Sequence, residues 1–528
     1  MKNKIKTFSF ISLISVVLLL SSCEFTFPIS ENNQGGNSNT GDNTYKSFTN
    51  RDLKEVAKFA STYAGGEDIR EKFNAQYTKC MPSKGRSKML VVPVLLKGEY
   101  LPVKDELTRE RMTDNEVRTS IYNSFFGTSE NTGWESVSSF YYKSSYGQLD
   151  IQGEVTSIFN TNVALNTLKQ ATNENCTNYT NSILESIYDY YFTNGTYNYS
   201  DYDSNNDGLI DSVYMVYLSK HNSSSPALWA YTYWDANSSY SHISAYSWSS
   251  YDFMVSGTGN GYTYSFDNKV DSHTYIHETG HLLSLDDYYD TNGITTPAGG
   301  VDMMDNNVTD HDAFTKYALG WTNPKLVTSE TDLSTELSIT LNPTESSGDS
   351  IVVANNFNGT SFDEYLMIEF YTPTGLNKQD SKYKYKGSYP KGFSSSGVRI
   401  SHVDQRLGKF IYSNNGFSWS KSFCTGVPNL EYSNKSFYNV VASNSSDYSY
   451  SNFDLIQIMD AAEVAGSSTT KFANSNKYFA DDSTLFGTDS SFTNTYSAFK
   501  FNSGDNVPCN INITSVSSTS ATITFSAK

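Results

Sequence analysis

Four residues stand out as able to do chemistry together: His277, Glu278, His281 and Asp287, within the stretch DSHTYIHETGHLLSLDDYYD from Asp271 to Asp290. Residues four apart lie on one face of an α-helix, so the two histidines of the string H-E-x-x-H can reach one metal ion together. Imidazole nitrogens bind Zn²⁺ at about 2.0–2.1 Å, and a catalytic zinc usually takes three protein ligands and leaves one position open. Glu278, directly after the first histidine, points at the water that fills the open position and is the candidate general base. The ion lowers that water's pKa towards neutrality. Asp287, six residues after His281, can return to the metal as the third ligand if the helix ends sharply. The bare string also suits a capped helix carrying two surface histidines. Three of the seven histidines, His273, His277 and His281, nevertheless fall in this one short run, which favours the metal. His273 lies a full turn too far along and reads as a packed or solvated side chain.

These residues need a helix that starts and stops in the right places. Asp271 or Ser272 can cap its start, and Tyr275, Ile276, Thr279 and Leu283 form its buried side. Ser284 and the pair Asp286-Asp287 are poor helix-interior residues, and Asp290-Thr291-Asn292-Gly293 is turn chemistry. Upstream, Met89 to Leu96 (MLVVPVLL) reads as a buried strand, and Thr113 to Glu116 as a capping box opening a helix with Val117, Ile121 and Phe125 inward. Trp229 to Trp234 (WAYTYW) reads as a strand and a wall of the cleft. After Pro324 the pattern changes to short alternating runs at Leu337 to Leu341, Ser350 to Ala354, Tyr365 to Phe370, Gly397 to Val403, Leu455 to Met459 and Ile511 to Phe525, separated by Ser/Asn/Gly turns.

A second constellation lies at Asp201 to Asp211 (DYDSNNDGLID). Oxygen ligands at alternate positions around a glycine turn suit Ca²⁺, here from Asp203, Asn205, Asp207, the Leu209 carbonyl and Asp211. The bidentate glutamate that would complete a helix–loop–helix site is replaced by Tyr214. A structural rather than catalytic calcium is expected; an ion-free Asx-rich turn is the alternative.

The first 22 residues read as a targeting segment: Lys2, Lys4 and Lys6, then an apolar core from Phe8 to Leu20. It ends Leu20-Ser21-Ser22-Cys23, which resembles a bacterial lipobox in which Cys23 becomes the lipidated first residue, held at an outer membrane leaflet or cell surface; a plain signal peptide or an uncleaved anchor is the alternative. Residues 23–45 form a polar tether, and 46–87 a helical segment readable as a propeptide remnant, with an amphipathic helix from Asp52 to Tyr63. Cys80, Cys176, Cys424 and Cys509 lack C-x-x-C spacing, which indicates neither a zinc ribbon nor a dense disulfide framework. Apolar content of 38%, with 40 Tyr and 31 Phe, describes a globular rather than a disordered chain, and a formal charge of −18 argues against nucleic acid as a partner.

The run HETGHLLSLDDYYD resembles the zinc-binding segment of the immune inhibitor A family of bacterial metallopeptidases, a metzincin-type pattern H-E-x-x-H-x-x-G-x-x-D. The block Asp302-Met303-Met304-Asp305-Asn306-Asn307, followed by Asp310 to Trp321, resembles that family's Met-turn and following helix, which makes Met304 the methionine beneath the metal. SVSSFYY (Ser136 to Tyr142) running into SYGQLDI (Ser145 to Ile151) is similar to a helix–strand block of the family. EYLMIE (Glu364 to Glu369) and GVRISHVD (Gly397 to Asp404) are similar to strings after its catalytic domain, where His402 and Asp404 are expected to hold the β-rich region together. The family's glycine is Ser284 here and its usual proline is Asp286. Turning out of the helix with φ > 0 costs a non-glycine residue roughly 1 kcal/mol or more. The resemblance implies an α+β metzincin-like zinc peptidase domain over 88–325 and a mostly antiparallel β-sandwich-type domain over 326–528. It further implies a zinc metalloendopeptidase acting on extracellular proteins, which the segment ending at Cys23 would make lipid-anchored. The alternative is a catalytically weak or inactive surface lipoprotein of the same scaffold that binds ligands or host proteins.

Overall fold

The computed structural model describes residues 80–528 apart from 106, 174, 235–241, 256–268, 358, 386–388, 410–436, 440–443 and 445–452. Cys23, the tether and the helix expected from Asp52 to Tyr63 lie outside the described residues, as does Cys424. Cys80, Cys176 and Cys509 are not in disulfides.

The apolar run from Met89 to Leu96 forms the middle of strand β1 (Gly85–Lys97). It is unbroken because both faces of the strand are covered. Met89 and Val91 join one hydrophobic cluster, while Leu90, Val92, Val94 and Leu96 join another. The surrounding sheet runs β2 (Leu149–Val155), β1, β4 (Ile210–Tyr217), β6 (Ile243–Ser250), β5 (Tyr231–Trp234), with β3 (Phe159–Ala164) also paired to β1. Its pairings are parallel except that of β5 with β6, so β5 is an antiparallel edge strand.

Helices cover both faces. On one side lie α1 (Asp114–Phe126), α2 (Val137–Ser144) and α4 (His273–Leu282), contributing Ile121, Phe140 and Ile276 to the first cluster. The capping box of α1 forms as the sequence indicates, with Thr113 and Glu116 bonding each other's amides and Val117, Ile121 and Phe125 inward. On the other side lies α3 (Cys176–Tyr188), contributing Ile183, Leu184 and Ile187 to the second.

Beyond Trp321 the chain builds a five-stranded sheet ordered β12 (Ile456–Ile458), β11 (Gly397–Asp404), β10 (Glu364–Tyr371), β9 (Ser350–Ala354), β7 (Lys325–Thr328). A three-stranded antiparallel sheet, β8 (Leu337–Leu341), β14 (Ala521–Ser526), β13 (Asn510–Val516), packs on it. Side chains alternate along β10. Leu366, Ile368 and Phe370 join Ile339, Ile511 and Ile523 from the small sheet. Tyr365 and Met367 face the other way and join Met303, Tyr317 and the helix α4 residues Tyr275 and Ile276. The five-stranded sheet is thus buried on both sides, and its inner face is continuous with the core beneath α4. The fold is mixed α/β with several sheets, compatible with the α+β class.

Candidate metal centre

Helix α4 begins as its sequence suggests, with Asp271 as the working cap: its Oδ1 accepts from the His273 N–H at 3.0 Å, while Ser272 at the N-cap position makes no side-chain cap bond. Tyr275, Ile276, Thr279 and Leu283 are buried, which fixes the helix rotation. The exit is sharp. Ser284 sits at φ 72°, its N–H donates to the His281 carbonyl at 2.8 Å and the Leu285 N–H to the Gly280 carbonyl at 3.0 Å. This pair of bonds is the Schellman arrangement that glycine adopts without strain. Serine holds that left-handed conformation here.

The turn brings Asp287 back to the histidines. Its Oδ1 lies 3.0 Å from His277 Nε2 and 3.2 Å from His281 Nε2. Both rings are oriented from behind: His277 Nδ1 is 2.9 Å from the Met303 carbonyl and His281 Nδ1 2.8 Å from the Leu285 carbonyl. A carbonyl only accepts, so each Nδ1 carries the proton and each neutral ring turns an Nε2 lone pair towards the Asp287 oxygen. Three lone-pair atoms facing one another repel unless positive charge lies among them. Tetrahedral ligands at the zinc bond lengths above sit about 3.3 Å apart, close to these spacings. The donor set of His277, His281 and Asp287 can therefore hold a metal ion.

Without a metal, protons supply the positive charge. Burial disfavours the His281 imidazolium, but Asp287 outweighs it and the group is pushed up to about 10. His277 is raised by the same partner against the same burial. Burial would raise Asp287, yet the two rings hold it well below the usual carboxylate range. Glu278 is buried, and that burial raises its pKa although both histidines oppose it. A Glu278 carboxylate oxygen lies within 4.8 Å of ring nitrogens of His277 and His281. Its Oε2 is 3.0 Å from Thr232 Oγ1 on the edge strand β5. No family model matches the chain, and neither does any curated protein.

Met304 is fully buried and packs its sulfur against Gly280, in the middle of the metal helix, so closely that a Cβ there would collide with it. Its carbonyl accepts from the Tyr288 N–H at 2.8 Å. Asp302 fixes the turn, accepting from the N–H groups of Met304 and Asp312, each at 2.8 Å. The adjacent Met303 carbonyl thereby reaches His277. Of the two nearby tyrosines, Tyr288 is buried with its hydroxyl 2.7 Å from Thr315 Oγ1. The Tyr289 ring lies 6.2 Å from that of His277 at 23°. His273 is packed, its ring 4.3 Å from that of Tyr385.

Elsewhere, the Asp203–Asp211 loop forms a tight turn with Asn206 at φ 58° and Gly208 at φ 85°. Asp203 accepts from the Asp207 and Gly208 amides, Asp207 from Leu209, and Asp211 from Ser204. The Asn205 side-chain oxygen also takes the Asp207 amide. An Asx-rich turn makes such bonds with or without an ion. His402 and Asp404 belong to a polar network with buried Glu364 and Arg406 and half-buried Asn502, well suited to holding β10 and β11 to the segment around Asn502. Sequence reasoning did not single out Thr232, Trp234 (whose Nε1 donates to the His281 carbonyl at 3.1 Å), or the Met303 and Leu285 carbonyls. The only signal for the first two was alternation in WAYTYW, which puts Thr232 and Trp234 on one face of a strand.

Proposed function

We propose that this protein is a zinc-dependent peptidase of metzincin type, similar to the immune inhibitor A metallopeptidases, exported and anchored to a membrane through a lipid on Cys23. One observation carries the reading: the Nε2 atoms of His277 and His281 and the Asp287 carboxylate converge at 3.0 and 3.2 Å, with both Nδ1 atoms committed to backbone carbonyls. Zinc held there supplies Lewis acidity, polarising a scissile carbonyl and acidifying water. Glu278 takes a proton from the attacking water and returns it to the leaving nitrogen as the C–N bond breaks. Burial favours this exchange, since the raised pKa of Glu278 makes its carboxylate a better proton acceptor near neutral pH. The proposal includes a structural calcium at Asp203, Asn205, Asp207, Leu209 and Asp211, and a role for Met304 as the packed floor of the metal helix.

The test is Glu278→Gln in the zinc-loaded protein. Zinc content should stay at one per chain, while cleavage of casein or gelatin falls by about 10²–10⁴-fold, the range for loss of a general base. Full activity in this variant would remove Glu278 from the role. Wild-type protein that binds zinc and cleaves nothing would leave a binding scaffold in place of an enzyme.

A further inference from the structure

Thr232 lies on the edge strand β5, 4% exposed, and its Oγ1 has three oxygen neighbours. Ser247 Oγ, on the paired strand β6 and fully buried, is 2.7 Å away. The Glu278 backbone carbonyl and the Glu278 Oε2 are each 3.0 Å away. The Thr232 hydroxyl has one proton to give. Hydrogen bonds to an ionised acceptor are roughly twice as strong as neutral ones, so the carboxylate takes that proton in preference to the carbonyl. The Ser247 hydroxyl can then donate to Thr232 Oγ1, and the chain Ser247 to Thr232 to Glu278 runs in one direction. Among the described residues Glu278 Oε1 makes no hydrogen bond, so the two carboxylate oxygens are chemically distinct.

We propose that Thr232 is a positioning residue for the general base: by occupying Oε2 it fixes the carboxylate plane and leaves Oε1 as the oxygen that accepts and returns the proton. This inference rests on the hydrolytic reading of the site. During attack, the water oxygen bonds to the carbonyl carbon and its proton moves to Oε1, the oxygen that Thr232 does not occupy. The proton then passes to the nitrogen as the C–N bond breaks, and the carboxylate returns to its starting form with the Thr232 bond intact throughout.

The experiment uses the full zinc-loaded chain with casein as substrate. Thr232→Val keeps the strand preference and the volume but removes the hydroxyl. It should lower kcat by about 10–100-fold, the loss of one hydrogen bond to a charged group, with KM and zinc stoichiometry unchanged. Thr232→Ser should restore kcat to within a few-fold, and Ser247→Ala should lower it more mildly. A second readout needs no activity: in chelator-treated protein, urea unfolding of Thr232→Val, Glu278→Leu and the double variant should show coupling of about tenfold in the unfolding constant. Wild-type kcat in Thr232→Val, or additivity in that cycle, overturns the inference. Should the wild type itself cleave nothing, the hydrolytic reading fails and the positioning role falls with it, while coupling in the cycle would still record the Thr232–Glu278 contact.

Discussion

Replacing Asp287 with asparagine keeps the size of the side chain and removes the charge on which both histidines converge. In the metal-free protein that carboxylate is the counter-ion for two rings at 3.0 and 3.2 Å. Burial opposes the charge on His281, yet Asp287, aided by Glu278, carries the group from 6.5 to about 10. At about 1.4 kcal/mol per pKa unit, that displacement corresponds to an upper bound of about 5 kcal/mol. Breaking a buried pair from one side costs about 3–5 kcal/mol. Here the rings can escape part of it by becoming neutral, so Asp287→Asn should destabilise by about 2–4 kcal/mol. A group whose folded pKa is raised contributes fully below its unfolded value and loses that contribution as pH rises through the folded one. The gap between wild type and variant should therefore be widest near pH 6 and nearly closed above about pH 10. Urea unfolding with chelator at both pH values measures this. Zinc competes with protons for the same lone pairs, so wild-type zinc affinity should climb with pH. Asp287→Asn should weaken it by more than about 100-fold, since partners one shell further out already account for about 10–100-fold. Equal destabilisation at both pH values, or zinc affinity within tenfold of wild type, would refute the reasoning.

Two further substitutions test how the helix is seated. Ser284→Gly relieves a positive φ and should stabilise the protein by about 1 kcal/mol without weakening zinc binding; a lowered melting temperature would mean that the Ser284 side chain contributes more than its backbone strain costs. Gly280→Ala raises helix propensity, by about 1 kcal/mol, but its Cβ would collide with Met304 Sδ and approach Tyr141 Oη to 3.1 Å. Overpacking typically costs about 1–3 kcal/mol, so the melting temperature should fall and zinc affinity with it. A rise would show that Met304 yields freely and is no floor for the helix.

Local chemistry was legible without coordinates. The i, i+4 spacing of His277 and His281, the Asx cap at Asp271, the capping box at Thr113 and the positions of strands such as Ser350–Ala354 all depend on near neighbours in the chain, and a sequence displays near neighbours directly. The positive φ at Ser284 was expected only through the resemblance, whose pattern has glycine at that position. What only the tertiary structure decided was everything that arrives across long separations. Thr232 meets Glu278 from 46 positions away and the Met303 carbonyl meets His277 from 26; nothing in their identity marks a threonine or a backbone oxygen as a partner. The same holds for the five-stranded sheet: runs such as EYLMIEFY and GVRISHVD mark strands, but not what covers either face. One face turned out to be the floor under the metal helix, because alternate side chains of a strand must be buried against whatever the rest of the chain brings there.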